Sequence, residues 1–265
     1  MVRDSMQTVH DVSTIIRRSP LRRDRFAEIA RECPEASVVS LRPLCPTRWT
    51  VRAVAFSAAI DGYPAVHECL EEIGNSKVDV AVRASGLAHT LEKGSTYLSL
   101  LICKEVFAPC ELASTRLQKP GITVSQGLEI ISIRLLHMKN LRKEETYDVI
   151  WSTMQEKIVS LELEEPKLPR HRNTPRELDR IPNAPQNHRF LTAKDKYRKD
   201  FFEIIDKIIG EIENRFYQEG IQQYICLEEC ILKQPDQWGT DIVETLSMYG
   251  INSNDLRLQL EMFPK

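Results

Sequence analysis

Cys226 and Cys230 stand four residues apart in a stretch of helical pattern, a spacing that sets two thiols on one side of a helix, where a metal ion can be held. No second ligand pair matches that spacing and no CxxC occurs, so these thiols predict no metal centre. Cys103 and Cys110, a heptad apart, read as small core residues. Paired carboxylates are another candidate, because two neighbouring acids can divide the roles of proton donor and acceptor. Glu203 with Asp206, and Glu211 with Glu213, fall on the polar side of a strong apolar periodicity and read as a solvated face. His137, on an apolar face before Met138, reads as a core histidine, while His171 and His188 fall in a proline-rich stretch and read as solvated. Arg48-Trp49, within "LCPTRWTVRAVAF" (44–56), are different in kind. A guanidinium can grip a phosphate, and the indole beside it can stack on a base.

The elements that position these residues are almost all helical. Two helices broken at Ser19-Pro20 fill residues 5–33, since proline suits a first helical turn and not an interior. "ASVVSLRPL" (36–44) is the one β-like run, and Pro43 limits it to an edge strand. Thr47 is placed to cap a helix running to about Ile60, with Val51, Val54 and Ala55 on one face. Further helices are expected over 63–74, 76–92 and 95–118, the last burying Leu98, Leu101, Ile102, Val106 and Leu112. "KPGIT" (119–123) is a turn, followed by helices at 123–140 and 144–163. Tyr147, Ile150, Trp151, Met154 and Ile158 share one face of the second. A long helix capped by Thr192 carries a stripe of Tyr197, Phe201, Ile204, Ile205, Ile208, Ile212 and Phe216. Shorter helices close the sequence near 221–233, 239–248 and 252–262. The fold class read from this pattern is mostly α, a multi-helix domain with at most one short strand near 36–44.

Composition narrows the function. The 265 residues hold 42% hydrophobic content and carry a net charge of −2, so the chain as a whole is not a basic nucleic-acid binder. Charge is unevenly spread: residues 1–52 hold 10 Lys+Arg against 6 Asp+Glu, and residues 166–200 hold 10 against 4. Two basic segments on an acidic body make an electrostatic footprint for a polyanion. No apolar run is long enough to span a membrane, and the first residues lack the apolar core of a secretory signal. Seven scattered cysteines read as reduced intracellular thiols. No GxGxxG, P-loop, HExxH or GxSxG is present.

"LRPLCPTRWTVR" (41–52) resembles the "L..LC.TRW..R" segment of hAT-superfamily transposases, and more narrowly the zinc finger MYM-type protein 1-like group. Four other stretches are similar to that group in the same order. They are "GLAHTLEKGSTYLSLLICKEVFAPCELASTRLQ" (86–118), "PKLPRHRNTPREL" (166–178), "AKDKYRKDFFEIIDKIIGEIENRF" (193–216) and "INSNDLRLQLEMF" (251–263). The resemblance implies the helical insertion region of an RNase-H-like domain. Residues 1–44 would then be a remnant flank of the RNase-H-like core, incompletely packed. Residues 45–163 and 192–265 would be the two parts of the insertion, joined by the proline-rich basic loop 164–191.

In such transposases three acids hold two divalent metals for phosphodiester cleavage. The resemblance places those acids outside this sequence, and neither Asp4 nor Asp24 occupies a matching position. It therefore implies no catalytic residue, no metal ligand and no cofactor in this chain, with Mg2+ expected only in a full-length active relative. It also implies DNA binding through Thr47, Arg48, Trp49 and Arg52, with phosphate contacts from Arg170, Arg172 and Arg176. The expected function is a catalytically inactive, transposase-derived fragment with residual binding of double-stranded DNA. The expected setting is intracellular and nuclear. A helical protein-interaction module, as a homo-oligomer or with another protein and with no nucleic-acid role, is the rival reading. A third is the DNA-binding insertion of a longer, active transposase. No reading calls for a membrane.

Overall fold

The computed structural model describes residues 1–44, 52–168, 190–218 and 220–262, and among these the chain forms twelve α-helices and no strand. They are α1 (Val2–Arg17), α2 (Pro20–Glu32), α3 (Arg52–Asp61), α4 (Tyr63–Gly74), α5 (Ala81–Leu91), α6 (Gly94–Leu117), α7 (Val124–Leu141), α8 (Glu144–Ser160), α9 (Ala193–Phe216), α10 (Ile221–Leu232), α11 (Thr240–Met248) and α12 (Ser253–Met262). The mostly α reading holds.

Local chemistry explains most boundaries. Ser19 caps α2 by accepting from the Arg22 N–H, and Pro20 takes the first turn. Thr123 and Gln126 close a capping box at the head of α7, and Thr192 caps α9 as expected. The α5 helix starts later than the sequence pattern suggests. Residues 76–80 form a turn in which the Ala81 N–H donates to the Val78 carbonyl. The expected strand at 36–44 does not form. Pro43 lacks a donor and no partner strand is present among the described residues. The segment is instead an irregular strap that buries Leu41 and Leu44, and the Leu44 carbonyl lies 3.3 Å from His10 Nδ1.

One apolar core runs through α1 to α9. Val9, Val12, Ile15 and Ile16 of α1 and Phe26 and Ile29 of α2 are buried in it. The N-terminal 44 residues are thus packed, contrary to the expectation of a loose remnant, because α2 covers α4 and α1 lies against α5 and α6. Helix α3 packs closely on α6, with the small side chains of Ala53, Ala55 and Ala59 buried and the Phe56 ring stacked on Phe107. Val54, expected on that buried face, is half exposed instead. Tyr147, Ile150, Trp151, Met154 and Ile158 of α8 are all buried, as their spacing indicates. Phe201 and Ile205 of α9 enter the same core, so α9 belongs with the first part of the chain. Helices α10 to α12 build a separate, smaller cluster around Cys226, Cys230, Trp238, Ile242 and Leu246. The division in the described chain therefore lies after α9.

Candidate functional site

Four of the residues expected to touch DNA, Thr47, Arg48, Trp49 and Arg52, come just before or at the start of α3 in the sequence. Thr47, Arg48, Trp49, Arg170, Arg172 and Arg176 lie outside the described residues, as do His171 and His188. Arg52 is described, and it is only 8% exposed. Its guanidinium carbon sits 5.8 Å from the centre of the Phe107 ring, which itself stacks on Phe56 at 5.9 Å. Burial turns Arg52 inward, so a phosphate contact by this side chain requires it to leave the core.

Glu111, from α6, accounts for the geometry. Its carboxylate accepts from the Ala53 N–H at 2.5 Å, so it caps α3 from another helix. Burial pushes the Glu111 carboxyl up, while the N–H groups of Ala53, Arg52 and Val54 and the Arg52 charge pull it down without cancelling the rise. A second glutamate repeats the device. Glu228 of α10 accepts from the N–H groups of Val124 and Ser125 and from the Ser125 hydroxyl, fixing the head of α7. Burial works to raise its carboxyl, but the hydrogen bonds from Ser125 and Val124 outweigh that and hold it low.

A cluster the sequence reading passed over lies at the ends of α4 and α5. His67 Nδ1 is 3.6 Å from a Glu71 oxygen, one turn along α4, and His67 Nε2 is 3.8 Å from a Glu92 oxygen at the end of α5. His89 Nδ1 is 2.7 Å from the other oxygen of Glu92. One ligand atom from each of His67, Glu71 and Glu92 can be chosen so that all lie within 4.8 Å of one another. The signal was present in the sequence as His-x3-Glu in "HECLE" and His-x2-Glu in "HTLE", two spacings that each bring a pair onto one helix face.

Two grooves complete the surface. One, of about 390 Å3, runs between α6 and α7 and is lined by Pro109, Leu112, Ile130, Ile133, Arg134 and His137, among others. Leu112 and His137 were both read as buried, yet both are exposed along this groove. Burial together with the Arg134 charge lowers the His137 imidazole below its ordinary value. Arg134 is buried beneath it, donating to the Val106 carbonyl at 3.1 Å and to Cys110 Sγ at 2.7 Å. Among the described residues it pairs with no carboxylate, and burial pulls its pKa down. The other groove, of about 690 Å3, lies between α8 and α9 and is laced by Arg142–Asp206 and Arg198–Glu144 pairs.

The remaining sequence candidates fall where chemistry is poor. Cys226 and Cys230 are buried in the small cluster, and burial pushes the Cys230 thiol up. Glu203, Asp206, Glu211 and Glu213 each pair with a lysine or arginine on the solvent side. Comparison of the chain with family models, with curated proteins and with solved structures yields no match.

Proposed function

We propose that this chain is a helical binding domain, derived from the insertion region of an hAT-type transposase and without catalysis of its own, whose nucleic-acid contact is the segment entering α3. The reading rests on the resemblance of residues 41–52 to the transposase segment. The observation that carries it furthest is the capping of α3 by Glu111. A contact segment is effective only when its point of attachment is fixed, since ordering a loose arm on binding costs conformational entropy. Capping from α6 and the packing of Phe56 on Phe107 hold that point. Arg48 and Trp49 precede that helix head in the sequence, and the reading assigns Arg48 to phosphate and Trp49 to a base face. Arg170, Arg172 and Arg176 add phosphate contacts from the basic loop.

The test is a titration of labelled duplex DNA at rising salt. Affinity falls by roughly one power of salt for each phosphate contact, so three or four arginines give a steep, measurable slope. Flat salt dependence, or no binding at low salt, would overturn the reading.

A second reading is favoured by a separate feature. Leu112 and Ile133, each more than half exposed, line the 390 Å3 groove between α6 and α7, and Leu136 of α7 is exposed as well. Apolar side chains rimmed by polar ones on a helix pair suit a protein partner, and such a contact would respond little to salt.

A further inference from the structure

We propose that His67, Glu71 and Glu92 form a binding site for a divalent transition-metal ion, zinc in the first place, with His89 holding Glu92 in position.

Charge is the first reason. Glu71 lies in the last turn of α4 and Glu92 is the residue that ends α5, so both carboxylates sit at the negative ends of helix dipoles. Among the described residues no lysine or arginine pairs with either one; their partners there are His67 and His89. Glu72, the next residue along α4, is by contrast matched by Arg25 at 2.6 Å. Two acids at two helix C-termini, balanced only by imidazoles, call for a cation.

Distance is the second reason. The separations of 3.6 and 3.8 Å around His67 are too long for hydrogen bonds. Only one ring nitrogen can face a single ion. Nε2 stands 3.8 Å from its Glu92 oxygen, near the roughly 3.3–3.6 Å that tetrahedral zinc with bonds of about 2.0–2.2 Å sets between ligand atoms. All three ligand atoms lie within 4.8 Å of one another, so the side chains close on the ion by small rotations. His67 Nε2 is moreover enclosed and has no hydrogen-bond partner. One imidazole nitrogen takes the ion and the other is left beside a carboxylate, the arrangement that fixes the tautomer of a metal-bound histidine.

The site is also held in place. The Glu92 carbonyl accepts from the Glu164 N–H at 2.7 Å, and the Gly94 N–H donates to the Glu164 carbonyl at 2.8 Å. Gly94 is needed for that approach, because a Cβ there would stand 2.7 Å from Ile158 Cδ1. His67 and Glu71 share one face of a helix packed on α5. A donor set of imidazole and carboxylates suits zinc, cobalt or nickel better than calcium or magnesium, which prefer oxygen alone. With three protein ligands, one coordination position is left to water. The ion's effect is to clamp α4 to α5. This inference does not depend on DNA binding.

The experiment titrates the metal-free full chain with Co2+, followed by visible absorption, and with Zn2+, followed by calorimetry and thermal melts. One equivalent should bind, with visible d–d bands, no sulfur-to-cobalt charge transfer, and a higher Tm. Glu92→Gln and His67→Ala should each lose at least about 100-fold in affinity, and His89→Ala about 10–100-fold. Metal-free melts of the three variants check folding. If Glu92→Gln does not fold, loss of the His67 ring signals from the NMR spectrum of the unaltered protein on adding Co2+ still decides. Thiolate charge transfer that disappears in Cys226→Ser/Cys230→Ser, binding unchanged in Glu92→Gln, or His67 signals unmoved by Co2+ would overturn the proposal.

Discussion

The carboxylate of Glu111 on α6 caps the N-terminus of α3 by accepting from the Ala53 N–H, across 58 residues of sequence. Orphan N–H groups at a helix head are ordinarily satisfied by a neighbouring Ser, Thr, Asp or Asn, and Thr47 was the local candidate. Thr47 lies outside the described residues; among those described, the acceptor comes from a helix that also carries Phe107, the ring beneath Arg52. Anchoring of the proposed contact segment and packing of the core are therefore one arrangement.

Glu111→Ala removes the acceptor and should cost about 0.5–2 kcal/mol, the usual range for a lost cap, measured by urea denaturation. Glu111→Gln keeps an acceptor and should cost less. Since the folded carboxyl lies above its unfolded value near 4.5, its titration favours folding fully below that value. The contribution is lost as pH rises through the folded value. Stability of the unaltered protein relative to Glu111→Gln should therefore fall as pH is raised from 4. A difference independent of pH would contradict this.

Glu228 should behave in the opposite sense. Its carboxyl is held low in the folded protein, so its contribution is present above the unfolded value near 4.5 and lost as pH falls through the folded one. Glu228→Ala should speed amide hydrogen exchange at Val124 and Ser125, the two N–H groups it accepts from, and loosen α10 from α7. Unchanged exchange at both amides would show that the cap is not formed.

Ile205→Ala should destabilise by about 2–5 kcal/mol, because the side chain is fully enclosed and its loss leaves a cavity. Ile208 lies on the same stripe but is only partly buried, so Ile208→Ala should cost less. Equal costs in paired thermal melts would mean that α9 sits differently on the core.

Arg134→Met should not lower Tm. The substitution keeps an unbranched chain of similar reach and removes a buried charge that no carboxylate balances among the described residues, so relief of desolvation offsets the lost bond to the Val106 carbonyl. A clear loss of Tm would mean the guanidinium is satisfied by more than the Val106 carbonyl and Cys110 Sγ.

Much of this architecture was legible in the sequence, for a simple reason. The apolar faces of α8 and of the middle of α9 are buried on one side only, and such faces write a three-to-four spacing. Helix α6 is harder, because Leu112 continues the apolar spacing past Pro109 into an exposed groove, and periodicity cannot tell a core face from a groove wall. His137 was misplaced for the same reason. The strap at 36–44 has strand composition without a partner to pair with. The caps from Glu111 and Glu228 act across 58 and 104 residues, and no local motif announces a contact of that kind. The His67 cluster lay between these cases: each half was visible as a spacing, but only the packing of α4 on α5 joins them.

The most direct measurement compares Arg48→Ala, Trp49→Ala and Arg52→Ala for duplex DNA affinity and for Tm. The expected result is a split at the head of α3. Arg48→Ala and Trp49→Ala should weaken DNA binding and leave Tm unchanged, the indole alone contributing about 1–3 kcal/mol if it stacks on a base. Arg52→Ala should lower Tm through lost packing on Phe107 and leave the salt dependence of binding as it was. Binding unaffected by Arg48→Ala and Trp49→Ala, or a reduced salt slope in Arg52→Ala, would contradict the assignment of the segment before α3 as the contact.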